Sequence, residues 1–231
     1  MGFRWRLFAI FVVIVILTSC AGGPMTLRKG ERIIFLGDSI TQQGIGPTGY
    51  VTLVRKELSA RYPGLGIEII GAGVSGNKVT DLEARLGRDV IQRKPDVVVI
   101  YIGINDVWHW TMPNHVGSTR EEFESGLREI IARIQYAGAE VILCTPSVIG
   151  EKLGGKNAED STLDAYCEIS RKVAHSRGAQ ICDLRKAFVD YLSVHNGGNA
   201  EKGILTVDGV HLNEEGNKLV AKELIQHFVH P

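Results

Sequence analysis

Four short stretches hold the side chains whose types and spacing could do chemistry together. Gly37-Asp38-Ser39 carries a serine, a poor nucleophile until a base takes its proton. A serine in such a turn can equally cap a helix. Val207-Asp208-Gly209-Val210-His211 sets a carboxylate three residues before an imidazole. A carboxylate held on one ring nitrogen leaves the other free as a base. The same spacing also suits an Asp-Gly turn beside a surface histidine. Gly103-Ile104-Asn105-Asp106 offers a side-chain amide, or simply a turn-forming Asn-Asp pair.

The fourth stretch, Gly71-Ala72-Gly73-Val74-Ser75-Gly76, has two readings. Literally it is G-x-G-x-x-G, the dinucleotide-binding pattern, which requires an acid closing the next strand to hold the ribose. Asp96 comes before the next apolar run rather than after it, so the acid is at the wrong end. The other reading is a turn whose exposed backbone N–H groups receive an oxyanion.

These stretches must be positioned by something. Apolar runs at 32–36, 67–70, 97–102, 140–145 and 179–184 are hydrophobic at nearly every residue. That pattern predicts strands of a parallel sheet covered on both faces. Between them lie helical periodicities: Val51, Val54 and Leu58 within 50–62, and Leu82, Leu86 and Val90 further on. Thr119 and Glu122 form a capping box that opens a helix with Phe123, Leu127, Ile130, Ile131 and Ile134 on its inner face. Residues 160–177 and 213–229 predict two more helices. Alternating strands and helices specify one three-layer α/β domain. In such folds the working loops sit at the carboxyl ends of the strands, which is where the candidate stretches fall.

The 231 residues are 44% hydrophobic and 23% charged, which excludes a disordered or collagen-like chain. With 26 basic and 26 acidic side chains and no basic block, nucleic acid is not an expected partner. The first residues differ from the rest. Arg4 and Arg6 precede an apolar run from Leu7 to Leu17, then Thr18-Ser19-Cys20. The run is short of the ~20 residues that span a bilayer, and its flanks are those of a signal peptide. Leu17-Thr18-Ser19-Cys20 resembles a bacterial lipobox, in which the cysteine is lipidated. We therefore expect a lipoprotein-type signal peptide at 1–19 and lipidation at Cys20. A Gly- and Pro-containing tether at 20–30 and a folded domain at 31–231 would follow. The protein would then be exported and held by its lipid alone, facing the periplasm or the cell exterior. Cys144, Cys167 and Cys182 lie in apolar patterns and read as buried thiols. No metal-type Cys/His spacing occurs.

The four stretches, in order and each at its structural place, resemble the blocks of the SGNH hydrolases, the GDSL esterase/lipase superfamily. The resemblance spans about residues 31–228. One departure is Gly71, where the second block often begins with Asn. The resemblance implies a three-layer α/β/α sandwich on a flavodoxin-like, five-stranded, mainly parallel sheet. It also implies Ser39 as nucleophile, His211 as general base and Asp208 as its orienting acid. The oxyanion hole would be the backbone N–H groups of Ser39 and Gly76 with the side-chain amide of Asn105. No metal or cofactor is implied. Asp38 and Asp106 fall outside the triad, and we expect them to bond turn backbone.

The expected substrate is an ester on a small molecule or polysaccharide. The loop 107–113 follows the third block directly. Its Trp108, His109 and Trp110 could stack on a sugar ring or hold an acyl chain, or could pack on the domain. No long apolar lid is visible in the sequence. A small acyl group, acetyl above all, on a carbohydrate is the favoured substrate. A lysophospholipase or thioesterase, an acyltransferase, and a catalytically silent surface binder remain the alternatives.

Overall fold

The computed structural model describes residues 25–229. The expected signal peptide at 1–19, Cys20 and the first part of the tether lie outside the described residues. Fifteen named strands and helices follow one another. β1 is Met25–Thr26, β2 Arg32–Gly37, α1 Ser39–Gly44, α2 Tyr50–Arg61 and β3 Glu68–Gly73. Next come α3 Val79–Asp89, β4 Val97–Tyr101, α4 Ile104–Trp108, α5 Arg120–Tyr136 and β5 Glu140–Cys144. The chain ends with α6 Asp160–Arg177, β6 Gln180–Cys182, α7 Leu184–His195, α8 Glu214–Ile225 and β7 Phe228–Val229.

Five strands form one parallel sheet in the order β3-β2-β4-β5-β6. The chain steps outward from β2 to β3, then back past β2 to β4. That reversal makes the β2–β4 boundary a topological switch point, where the carboxyl ends of two neighbouring strands open a crevice. Every residue of β4 is buried, as an apolar strand covered on both faces requires. Two helix groups provide the cover: α2 packs on α8 and α8 on α7, while α3, α5 and α6 pack in series. The expected three-layer α/β/α sandwich is what the chain forms.

Local signals account for most boundaries. Thr119 Oγ1 accepts from the Glu122 amide at 3.2 Å and the Glu122 carboxylate accepts from the Thr119 amide at 2.7 Å, closing the predicted capping box of α5. Residues 160–177 form α6 as predicted. Four expectations need correction. β3 runs on through Gly71, Ala72 and Gly73, which pair with Phe35, Leu36 and Gly37, so the first half of the expected turn is strand. A side chain at Gly73 would lie 2.1 Å from the Gln42 amide nitrogen of α1. The glycine is there for close packing of α1 against the sheet. α7 replaces the end of the run at 179–184 and was not predicted. Its start is marked by Asp183, whose carboxylate caps Lys186 N at 3.2 Å.

Residues 25–27, expected to lie in the tether, are also placed differently. Met25–Thr26 pairs in parallel with Phe228–Val229, and Met25 and Leu27 are buried. The last residues of the expected tether therefore belong to the fold. The same pairing ends α8 at Ile225 rather than carrying a helix to 229. Cys144, Cys167 and Cys182 are buried free thiols. Among the described residues no helix is long and apolar enough to cross a membrane.

Candidate active site

Ser39 is the first residue of α1, directly beyond β2. Asp38 caps the helix by accepting from Ile40 N at 2.9 Å, which fixes the turn that presents the serine. Ser39 Oγ lies 2.9 Å from His211 Nε2. His211 Nδ1 lies 2.7 Å from Asp208 Oδ2. The other carboxylate oxygen, Asp208 Oδ1, accepts from Val210 N at 2.9 Å and His211 N at 2.8 Å. Partial burial opposes ionisation of Asp208. The hydrogen bond to the His211 ring, with the two amides, outweighs it and holds the carboxyl below its ordinary value. An ionised Asp208 on Nδ1 keeps that nitrogen the proton carrier and leaves Nε2 able to accept from Ser39.

The proposed oxyanion donors lie on neighbouring strand ends. Gly76 sits in the turn after β3 with φ +77°, a left-handed conformation that glycine adopts without cost. Ser75 N and Asn77 N are taken up by Gln42 Oε1 and Val74 O. The amides of Ser39 and Gly76 have no hydrogen-bond partner among the described residues. Asn105, buried at the start of α4, donates one Nδ2 proton to Asn77 O at 3.0 Å. Its second Nδ2 proton has no partner among the described residues. Donors of this kind, fixed before reaction, are what a developing oxyanion needs.

Arg85 ties these strand ends together and was missed by sequence reading. Its Nη2 donates to Gly37 O at 2.8 Å, its Nε to Asn77 Oδ1 at 2.7 Å and its Nη1 to Asp89 at 3.0 Å. One guanidinium thus joins the serine turn to the turn that anchors Asn105. The available signal was a basic residue next to Leu86 and three beyond Leu82, on the apolar face of α3.

Two buried carboxyls lie under the site. Burial pushes Asp38 up to about 7; the Ile40 amide opposes the shift, and nearby Asp106 adds to it. Burial pushes Asp106 up to about 6, against hydrogen bonds from Ser118 and Val79. Asp106 Oδ1 accepts from Ser118 Oγ at 2.5 Å and Val79 N at 3.1 Å. Both acids bond backbone, but at the first turns of α1 and α3 rather than in free turns, and Asp106 also takes the Ser118 hydroxyl.

The three aromatic residues expected at the substrate separate. The Trp108 ring meets His211 edge-on, with centroids 6.4 Å apart. His109 is buried against His115 at 4.8 Å. Trp110 is half-exposed and turns its indole N–H to Ser118 O at 3.2 Å. Trp108 alone of the three has a ring contact with the histidine. No group of three or more metal-ligating side chains occurs among the described residues.

Residues 35–219 match the model of the GDSL-like Lipase/Acylhydrolase family. The chain is 34% identical to an acetylxylan esterase of Geobacillus stearothermophilus over 88% of its own length and 96% of that protein's. Two structures of that enzyme, at 31% identity, are of catalytic mutants in which a histidine or a serine is replaced by alanine. The crystal structure of the acetyl xylan esterase AlAXEase superposes with a TM-score of 0.81 at 41% identity, covering 84% of this chain and 97% of that one. LAE5, an alpha/beta hydrolase enzyme from the metagenome of Lake Arreo, Spain, superposes with a TM-score of 0.76 at 32% identity, over 87% and 96% of the two chains. With its four sequence blocks meeting at the switch point of this sheet, the chain belongs to the GDSL-like lipase/acylhydrolase family and is a carboxylic ester hydrolase.

Proposed function

We propose that the protein removes acetyl groups from a carbohydrate, with Ser39, His211 and Asp208 as its catalytic triad. The observation that carries this reading is the unbroken path from Ser39 Oγ to His211 Nε2 at 2.9 Å and from Nδ1 to Asp208 at 2.7 Å. As Ser39 Oγ attacks the acyl carbon, Nε2 takes its proton. The carbonyl oxygen becomes an oxyanion, received by Ser39 N–H, Gly76 N–H and the free Nδ2 proton of Asn105. His211 then hands its proton to the departing sugar hydroxyl. Water attacks the acetyl-serine with His211 again as base, acetate leaves, and Ser39 regains its proton.

The acetylxylan esterases among the relatives support an acetyl group on a carbohydrate. Trp108, edge-on to His211, offers a flat apolar face where a sugar ring could stack. The test is initial rates on p-nitrophenyl acetate, butyrate and octanoate, then on acetylated xylo-oligosaccharides. Rates should be highest on acetate, and Ser39→Ala should lower kcat roughly 10⁴-fold or more. Near-normal turnover by the variant overturns the triad; a maximum at octanoate overturns the acetyl preference.

The N-terminal residues support a second part of the proposal: export, with Cys20 lipidated and the domain held at the outer or periplasmic side of a bacterial membrane. The support is the lipobox-like Leu17-Thr18-Ser19-Cys20. An unmodified Cys20 in the intact mass of membrane-extracted protein would overturn it.

A further inference from the structure

The segment between α7 and α8 has to place His211 against Ser39, yet it contains almost no regular structure. Thr206 and Leu212 form one antiparallel bridge, and Val207 N donates to His211 O at 2.8 Å. A stretch of this kind is costly to order unless specific contacts fix it. The contact that does so lies in a distant part of the sequence. Glu151, in the connection after β5, is fully buried. Its Oε2 accepts from Ile204 N at 2.8 Å. Its Oε1 accepts from Leu205 N at 2.8 Å, Thr206 N at 2.6 Å and Thr206 Oγ1 at 2.6 Å.

We propose that Glu151 is a positioning residue for the catalytic base, its carboxylate clamping the loop that carries Asp208 and His211. The proposal rests on the assignment of His211 made above. Three features support it. First, the carboxylate receives four donors from three consecutive residues and forms no ion pair among the described residues. A carboxylate is expensive to bury without a cation. For mere filling of space an apolar side chain would serve, whereas four directional bonds fix backbone position as well. Second, the clamp reaches the dyad in few steps. Thr206 Oγ1, donating to Glu151, accepts from Gly209 N at 3.1 Å, and Gly209 lies between Asp208 and His211. Third, the neighbouring backbone joins the clamp. Gly150 N donates to Gly209 O at 2.8 Å, Glu151 N to Glu201 O at 2.8 Å, and Asn196 Nδ2 to Glu151 O at 2.8 Å. Both sides of the loop are thereby pinned to residues 150–151.

Glu151→Gln is the discriminating variant. It keeps size and shape, but its amide nitrogen must face a backbone N–H in either orientation, so the clamp cannot close. Displacing a reacting group by about 1 Å costs on the order of 10²-fold. We expect kcat on p-nitrophenyl acetate to fall by about that factor, with KM within about 3-fold, because substrate contacts are untouched. The Nδ1 proton of His211, hydrogen-bonded to Asp208 at 2.7 Å, should give a downfield proton NMR signal in the wild type that weakens or vanishes in the variant. A folded Glu151→Gln protein with unchanged kcat and an unchanged Nδ1 signal overturns the proposal. If that variant does not fold, Thr206→Val decides. It keeps the volume and removes only the hydroxyl that joins Glu151 to Gly209. A fall in kcat with KM held and a weakened Nδ1 signal supports the clamp; unchanged values overturn it. The NMR signal reports on His211 without turnover. A wild-type protein that is inert on every ester therefore counts against the proposed function, while the signal in the variant still decides the role of Glu151.

Discussion

Ser39 and Asn105 follow directly on the buried strands β2 and β4, whereas Asp208 and His211 stand on a segment that contributes a single β-bridge. The side of the proposed nucleophile is located by ladders: β2 pairs with both β3 and β4. Its remaining freedom is removed by Arg85, which bonds Gly37 and Asn77. The base side is located by side-chain bonds to backbone, with Glu151 at their centre, and by a few isolated backbone bonds such as Gly150 N to Gly209 O. Strand ladders are cooperative and repeat along many residues, so a single side chain rarely decides where a strand end lies. A loop whose bonds converge on one buried acid and a few backbone contacts has less of that redundancy. The difference teaches where each half is vulnerable: the nucleophile side in its close-packed backbone, the base side in a few polar atoms.

Removing one member from each side sharpens this contrast. Asp208→Asn should have the larger effect. The variant amide presents the wrong group to Nδ1 and favours the tautomer that cannot take the serine proton, costing roughly 10⁴-fold in kcat. Steady-state kinetics on p-nitrophenyl acetate check it, and a loss below about tenfold would separate Asp208 from the base. Asn105→Ala should cost about 10²–10³-fold in kcat, some 3–4 kcal/mol of transition-state stabilisation, with KM little changed. A change mainly in KM would make Asn105 a substrate-binding group instead.

The last effect concerns stability rather than turnover and belongs to the side of Ser39 and Asn105 alone. Asp38 and Asp106 are pushed up to about 7 and about 6, in both cases by burial first. The folded chain thus keeps protons that the unfolded chain gives up near the ordinary carboxylate value of about 4. Their contribution is complete below that value and is lost as pH rises through about 6 to 7. Denaturant unfolding should show stability falling between pH 5 and pH 8. Asp38→Asn retains an acceptor for Ile40 N and should flatten part of that slope. An identical slope in the variant would remove Asp38 as its source.

The two sides also differ in how far they could be read from sequence. Strands such as Val97–Tyr101 are apolar at every position because both faces are covered, so they announce themselves. The turns that follow them inherit that clarity, and Ser39, Gly76 and Asn105 could all be placed at strand ends. Asp208 and His211 were visible through their short spacing. Glu151 was not: its partners lie 53 to 55 residues away, and an isolated acid in a glycine-containing loop has no local pattern that implies burial. β1 and β7 were missed for the same reason, being two-residue strands drawn from opposite ends of the described chain. β3 was read too short because Gly71 and Gly73 look like turn residues, while the close approach of Ile45 and Gln42 is what demands them.

The pairing of Met25–Thr26 with Phe228–Val229 has a directional consequence. It brings both described ends of the chain to the amino-terminal rim of the sheet, where His227 also bonds Gln180 at the start of β6. The serine and histidine open at the opposite rim, across six-residue strands, a separation of about 20 Å. Met25 therefore lies at the back of the molecule, on the rim away from Ser39. Were the proposed attachment at Cys20 in place, the face that holds Ser39 and His211 would be the one turned away from it, free to meet a polymer.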